Sequence, residues 1–366
     1  MHQLVVPIGY MGSGSSVITD LVSEFRGYEA RNDTFEYVFL HCPNGVFDLE
    51  DKLLIGNNAL RSDEALHSFL NTMRQLYDKK WWWVGDYQQR VGVEFWDCTK
   101  TYINKLVQYT PTYYWYMQEK TNIQMFFKLA WKRIVSLLTF HKVNLKKPLL
   151  YSPMWISFIQ PDEFYEISRV YIQQILKLMG IMEQSIILDQ LLLPHNLYRV
   201  DHYFGDELRA IVVSRDPRDV FIINKYIWSK QNMPVPYPTD VKEFCGFYKG
   251  LRESEKYTQS NKVLRIHFED LVYDYENSVN QILEFLNLDS SFHTLKKTYF
   301  LPERSINNTQ LFQNERYKEE TKMCIRDRSR IWRDAPSQSY FPKGSRYSAN
   351  GRPGSVPAYP ALTGLR

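Results

Sequence analysis

The chain has 366 residues, 44% hydrophobic and 23% charged, an ordinary globular composition long enough to bury one large α/β core or two smaller ones. Its net charge of +4 does not mark a nucleic-acid binder: residues 324–366 hold seven Arg and one Lys against two Asp, which leaves −2 for residues 1–323, and that class needs a basic surface on the domain itself. Four cysteines without C-x-x-C or Cys/His spacing argue against a zinc site or disulfides, and no apolar run approaches the ~20 residues of a membrane helix, so a soluble protein of a reducing, cytoplasmic compartment without an integral membrane segment is expected.

In chain order, "QLVVPIGY" predicts a strand ended by glycines, and "SVITDLVSEF" a helix with Val17, Ile18, Leu21, Val22 and Phe25 on one face. Strand, glycine turn and helix aim backbone N–H groups and the positive helix end at an anion. The turn "GYMGSGSS" has the spacing of a nucleoside-triphosphate loop, with Gly9, Gly14 and Ser16 in place but Ser15 where lysine belongs. Gly12, Ser13, Gly14, Ser15 and Ser16 can still wrap an anion with backbone and hydroxyl donors, a set suited to a group less charged than a triphosphate tail.

"TFEYVFLH", Thr34 to His41, predicts a second strand, interrupted by Glu36; a carboxylate there is costly unless it is paired or functional. A helix is expected from Arg61 with Ser62 as N-cap. Arg61, Ser62 and Asp63 could line an acceptor side, although a cap explains Ser62. Residues 99–180 carry mostly helical periodicity with Gly180 as a stop, and the aromatic runs "WWWVGDY" (Trp81–Tyr87) and "PTYYWYM" (Pro111–Met117) fit either core packing or an aromatic-lined cleft.

Further on, "SIILDQLLLP" is an apolar segment ended by Pro194, and Arg209 to Val213 is the clearest buried strand. It runs into "RDPRD", which places Arg215 at the C-terminal strand end, where open α/β sheets keep their ligand crevice. There Arg215 can grip a phosphate bidentately or pair with Asp219, which can also cap the next helix. A helix capped by Asp240, the strand of "KVLRIHFEDL" and the helix of "YENSVNQILEFLNL" complete the order. Strands alternating with helices predict an α/β fold, a mainly parallel sheet with helices on both faces. His141, His195, His202 and His267 lack paired spacing and read as ordinary residues, and no metal site is expected. Residues 324–366, rich in Arg, Ser, Pro and Gly, read as a disordered or non-native tail outside the fold.

Taken together, "SGSS" (Ser13–Ser16), "RDPRD" (Arg215–Asp219) and the strand–"EDL"–helix element ending at Leu288 resemble, in order, the motifs of sulfotransferases that use 3′-phosphoadenosine 5′-phosphosulfate (PAPS), in a bacterial-looking variety. The resemblance spans about residues 5–288. It implies a P-loop-like (nucleotide hydrolase-like) fold over residues 1–323, with residues 99–180 as a helical insertion on the acceptor side. It also implies PAPS as cofactor, cradled by the SGSS loop and gripped at its 3′-phosphate by Arg215, with transfer of a sulfuryl group to a hydroxyl of a saccharide, lipid or small metabolite. A sulfuryl group carries one negative charge, which accounts for the missing lysine and the absence of a metal.

Two positions depart from the family. Gly12 stands where a Lys or Arg is usual, so either another cation, Arg31 or Arg61, supplies that charge or the backbone of the turn does more than usual. Ile223 stands where a phosphate-binding Ser is usual, with Asn224 beside it as substitute. Ser305, Asn307 and Asn308 are candidates for a late cofactor-closing loop. In-line transfer needs a base on the acceptor hydroxyl; the resemblance places it near a strand end soon after the loop, where Glu36 fits best and His41, Glu29 and Asp48 stand in reserve. A non-catalytic protein that binds 3′-phosphoadenosine 5′-phosphate (PAP) on the same fold, and a small-molecule kinase, remain as alternatives.

Overall fold

The computed structural model describes residues 2–33, 35–79, 84–111, 123–140, 142–143, 153–229, 235–256 and 260–318. Five strands, β1 (Leu4–Gly9), β2 (Tyr28–Ala30), β3 (Ser185–Ile187), β4 (Leu208–Ser214) and β5 (Val263–His267), form one sheet in the order β2-β3-β1-β4-β5. Every pairing is parallel. β1 is the central strand because it is apolar on both sides. Leu4, Val6 and Ile8 enter one core and Val5 the other, the two-sided burial expected of a parallel sheet.

The Val5 side is covered by α1 (Ser16–Ser23), α11 (Phe268–Tyr273) and α12 (Tyr275–Phe285). The other side is covered by α2 (Val46–Leu54), α3 (Ala59–Tyr77), α4 (Tyr87–Arg90), α5 (Glu94–Leu106) and α7 (Pro161–Leu178). Between α5 and α7 comes α6 (Ile123–Leu138), and α8 (Val200–Tyr203) precedes β4. After β4 follow α9 (Pro217–Ile222), a π-helical turn at Ile223–Trp228, and α10 (Val241–Glu253), capped by Asp240, whose carboxylate accepts from the Lys242 and Glu243 amides. The last short helix is α13 (Pro302–Ser305).

The α/β class and the parallel sheet agree with the sequence reading; several local expectations do not. Residues 35–41 are not a strand: Phe35, Tyr37, Val38, Phe39 and Leu40 are buried, yet the segment folds as a turn-rich connection. Its apolar side chains satisfy the core beneath it rather than a ladder, and the edge strand is the shorter Tyr28–Ala30. The cap of α3 lies four residues earlier than expected, at Asn58, which accepts from the Arg61 amide, while Ser62 is wholly buried and donates to Ala59 O. α9 is capped by Asp216 rather than Asp219. Cys42 and Cys98 are free, and Cys245 is disulfide-bonded, against the expectation from cysteine spacing.

One buried carboxylate ties the far end of the chain to the sheet. Glu24, fully buried behind α1, accepts from His293 Nε2 (2.7 Å) and from the amides of Lys297 (3.1 Å), Tyr299 (2.9 Å) and Phe300 (2.9 Å). A buried carboxylate is tolerable only when so fully bonded. This clamp fixes the segment leading into α13.

Candidate functional site

β1 and β4 are neighbours, but the chain leaves β1 toward β2 and leaves β4 toward β5. Connections diverging from adjacent strands open a crevice at their C-terminal ends. The glycine-rich turn fills one side of it and the Arg215 turn the other.

Gly12 (φ +83°) and Gly14 (φ +85°) curl the first turn in the left-handed region that side chains disfavour. A Cβ at Gly14 would stand 2.7 Å from the Phe268 ring, and one at Gly12 would stand 3.1 Å from Trp228. At position 12, where a cation is expected, an L side chain would therefore be strained by the backbone and tight against Trp228. The inner wall is Gly9, where a Cβ would meet Ser13 Oγ at 2.2 Å and Ser15 Oγ at 3.2 Å. The two hydroxyls thus converge over bare backbone. Ser15 Oγ accepts from Gln190 Nε2 (3.0 Å), whereas Ser13 Oγ is buried and has no hydrogen-bond partner among the described residues. An unpartnered buried hydroxyl is costly, and an anion seated in the turn would relieve it.

The outer rim of the turn is fastened from behind. Tyr10 donates to Glu255, which also accepts from Arg265 (2.6 Å), and the Arg252 guanidinium lies 4.1 Å from the Tyr10 ring centroid. Burial, more than any neighbouring charge, holds the Tyr10 phenol well above its ordinary pKa, so it stays a donor. Tyr237 donates to Met11 O (2.9 Å) and is itself held by Asn224, whose carboxamide donates to Tyr237 O (3.0 Å) and accepts from Tyr237 N (3.2 Å). Asn224, expected to touch the cofactor, is fully buried and reaches the turn only through Tyr237.

Arg215 leaves β4 buried and aimed across the crevice. It donates to Gly12 O (3.2 Å) and to Asn308 O, and its guanidinium stacks 4.6 Å from the Phe268 ring centroid. Phe268 thus lies under Gly14 and Arg215 at once, which joins the three motifs that the sequence keeps apart. The Arg215 turn is rigid: Asp216 binds the Arg218 amide (2.9 Å) and its guanidinium, while Glu269 accepts from Asp216 N (2.9 Å). Asp219 accepts from Gln310 N (2.7 Å), which holds the 306–313 segment against α9; burial first, then Asp216, lifts its pKa to about 7. Asn308 comes to the crevice through its backbone, Ser305 is half-buried on α13, and Asn307 is exposed. Ile223, in place of the usual Ser, is buried.

Neither cation expected to replace the missing lysine is at the turn. Arg31 pairs with Glu29 (3.3 Å) and packs against Gly180 at the end of α7, and Arg61 folds back toward Gly56 O (3.4 Å).

The third wall follows β3. Asp189 is buried, accepts weakly from Thr19 Oγ1 (3.4 Å) and leaves Oδ1 without a partner; burial first and the nearby Glu36 second raise its pKa to about 7. Glu36 itself is exposed. His41 donates through Nε2 to Gln190 O (2.8 Å), and burial lowers its pKa. Glu29 sits on the edge strand, and Asp48 accepts from Asn44 N (2.8 Å) at the start of α2, so neither approaches the turn by any described contact. Asp189 was missed because "SIILDQLLL" registers as an apolar run; an acid closing an apolar strand was the available signal. Ser62 and Asp63 are buried and engage the 155–157 segment, with Trp155 N donating to Asp63 (2.8 Å) and Ser157 N to Ser62 (3.3 Å). His195 donates to Leu251 O (3.0 Å), His202 stacks on Tyr165 and His267 bonds Ser214. His141, residues 81–83 and 112–117 of the aromatic runs and the 324–366 tail lie outside the described residues. No group of three or more metal-binding side chains occurs among the described residues.

The model of the Sulfotransferase family matches residues 142–292. A comparison with curated proteins found no match. Among solved structures, the sulfotransferase domain of the olefin synthase from Synechococcus PCC 7002 is similar at 13% identity over 93% of this chain and 90% of that chain, with a TM-score of 0.36, too low to add to what the sheet order shows. The matched segment holds the Arg215 turn and the Phe268 element, and the glycine-rich turn lies N-terminal to it. Over residues 142–292, the chain is similar to the sulfotransferase family.

Proposed function

We propose that the protein transfers a sulfuryl group from PAPS to a hydroxyl acceptor in the crevice between β1 and β4. The observation that carries this reading is the convergence of Gly12, Gly14, Arg215 and Phe268, brought from three distant segments into direct contact. The fit to the cofactor rests on the chemistry of that crevice. The turn offers hydroxyls and backbone N–H groups with an unpartnered buried Ser13 Oγ and without a lysine, which suits a phosphosulfate better than a triphosphate with magnesium.

Gly12, Ser13, Gly14, Ser15 and Ser16 would hold the 5′-phosphosulfate end, with Gln190 orienting the Ser15 hydroxyl. Arg215, fixed at the mouth by Gly12 O and Asn308 O, would face the 3′-phosphate side, with Asn224 supporting the turn through Tyr237 and Ser305 on the helix that precedes Asn308. When bound, PAPS supplies the activated sulfuryl group and a phosphate leaving group. Glu36 would take the acceptor proton: it is exposed, and its charge reaches Asp189 at the crevice wall. Asp189, titrating near 7, would keep a proton beside it, an arrangement in which neighbouring carboxyls divide acid and base states. Residues 99–180, as a helical insertion, would shape the acceptor side.

Titration calorimetry of the full chain with PAP, ADP and magnesium-ATP tests the cofactor class, and a sulfotransfer assay with hydroxyl acceptors tests turnover. Binding of PAP over ADP supports the reading. PAP binding without transfer to any saccharide, lipid or phenol would leave a nucleotide-binding protein on the same fold. A preference for magnesium-ATP would favour a kinase, with Asp189 beside the turn as the residue to examine.

A further inference from the structure

α6 breaks the pattern of every other long helix in the protein. None of its described side chains is buried, although Ile123 (77% exposed), Phe126 (72%), Phe127 (66%), Trp131 (64%), Leu137 (59%) and Leu138 (74%) are large and apolar. Contiguous exposed apolar surface of this kind marks an interaction face. At 3.6 residues per turn, Ile123, Phe126, Phe127, Ala130, Trp131, Ile134, Leu137 and Leu138 share one side of the helix, an apolar arc of roughly half its circumference. Lys128 and Arg133 flank that arc on either side, and Lys132 lies opposite it.

Charge selects among the surfaces that could cover this face. From residue 121 to 160 the chain contains Lys128, Lys132, Arg133, Lys142, Lys146 and Lys147 and not one Asp or Glu. A second copy packed face to face would bring like charges together along both flanks. An anionic lipid surface meets both demands: the apolar arc enters the acyl boundary, and the flanking Lys and Arg reach outward to headgroups. With 16 residues and three basic side chains, α6 is not a spanning helix.

We infer that α6 lies in the plane of an anionic membrane surface and anchors the protein there peripherally. The inference rests on no residue of the cofactor crevice; because α6 lies within the 99–180 segment proposed to shape the acceptor side, its variants are judged on PAP affinity and not on turnover.

Co-sedimentation of the full chain with vesicles of phosphatidylcholine alone, and of phosphatidylcholine mixed with phosphatidylglycerol, tests it. The wild type should partition onto the mixed vesicles and be released by salt, with little binding to neutral ones. Phe127→Glu combined with Ile134→Glu should lower partition at least ~10-fold. Lys128→Gln, Lys132→Gln and Arg133→Gln together should do the same, since each basic group near an anionic surface is worth roughly fivefold. None of these positions is buried, so PAP affinity and thermal midpoint should stay at wild-type values. The inference is overturned if the wild type ignores mixed vesicles, if binding is indifferent to salt and to both variants, or if sedimentation velocity shows a dimer that Phe127→Glu dissociates while vesicles remain unbound.

Discussion

At the crevice between β1 and β4, backbone and side chains are locked by partners from distant parts of the chain: Arg215 on Gly12 and Asn308, Tyr237 on Met11, Glu269 on Asp216. Along α6, no described side chain is buried at all. The contrast separates two uses of surface. The crevice keeps a fixed shape, so each residue there has several constraints and a substitution has many ways to fail. α6 keeps a chemical character, apolar flanked by cationic, for a partner without fixed shape, so only its average composition matters. Substitutions at the two places should therefore differ in kind as well as in size.

The largest effect is expected at Gly14→Val. Its Cβ would enter the Phe268 ring and force a left-handed backbone on a branched residue. PAP binding should fall below calorimetric detection, while α6-dependent vesicle binding survives if the fold does, as circular dichroism would show. Next comes Glu36→Gln, which should lower turnover by about 10²- to 10⁴-fold with PAP affinity unchanged. A drop in affinity instead would place Glu36 in cofactor binding. Arg215→Ala should weaken PAP at least ~10-fold, about 1.4 kcal/mol, and weaken ADP less, because only PAP carries the 3′-phosphate; equal losses would mean that Arg215 only shapes the turn.

The smallest effect is one of pH. The folded-state pKa of Asp189, about 7, lies above the ordinary Asp value of 3.8. The stability it contributes is therefore fully present below about pH 4 and is lost as pH rises through 7. Asp189→Asn removes that dependence, so the variant's melting temperature relative to wild type should rise between about pH 5 and pH 8. A flat difference would show that Asp189 is ionised throughout.

How much of this was legible in the sequence depended on whether a residue's role was local. Strand β1 and its glycine turn, β4 ending at Arg215, and the caps and stops at Asp240 and Gly180 could be read because apolar runs, turn residues and cap chemistry act within a few positions. Phe35 to Leu40 looked like a strand because burial by a connection and burial by a sheet leave the same apolar composition. Asp189, Phe268 and Trp228 gave little sign, since each matters for what lies across from it: Thr19 and Glu36, Gly14 and Arg215, and Gly12 respectively. Glu24 gave none, because its four hydrogen-bond partners lie some 270 residues away. The missing cation at Gly12 was visible as a departure, but its reason, a left-handed residue beneath Trp228, exists only in three dimensions.

The most direct test is calorimetric titration of the full chain with PAP, ADP and magnesium-ATP, each repeated on Arg215→Ala. Binding of PAP at least ~10-fold tighter than ADP, lost in the variant, is the result predicted for a crevice that pairs a lysine-free turn with a 3′-phosphate arginine. Tighter binding of magnesium-ATP than of PAP, or PAP binding untouched by Arg215→Ala, would contradict it.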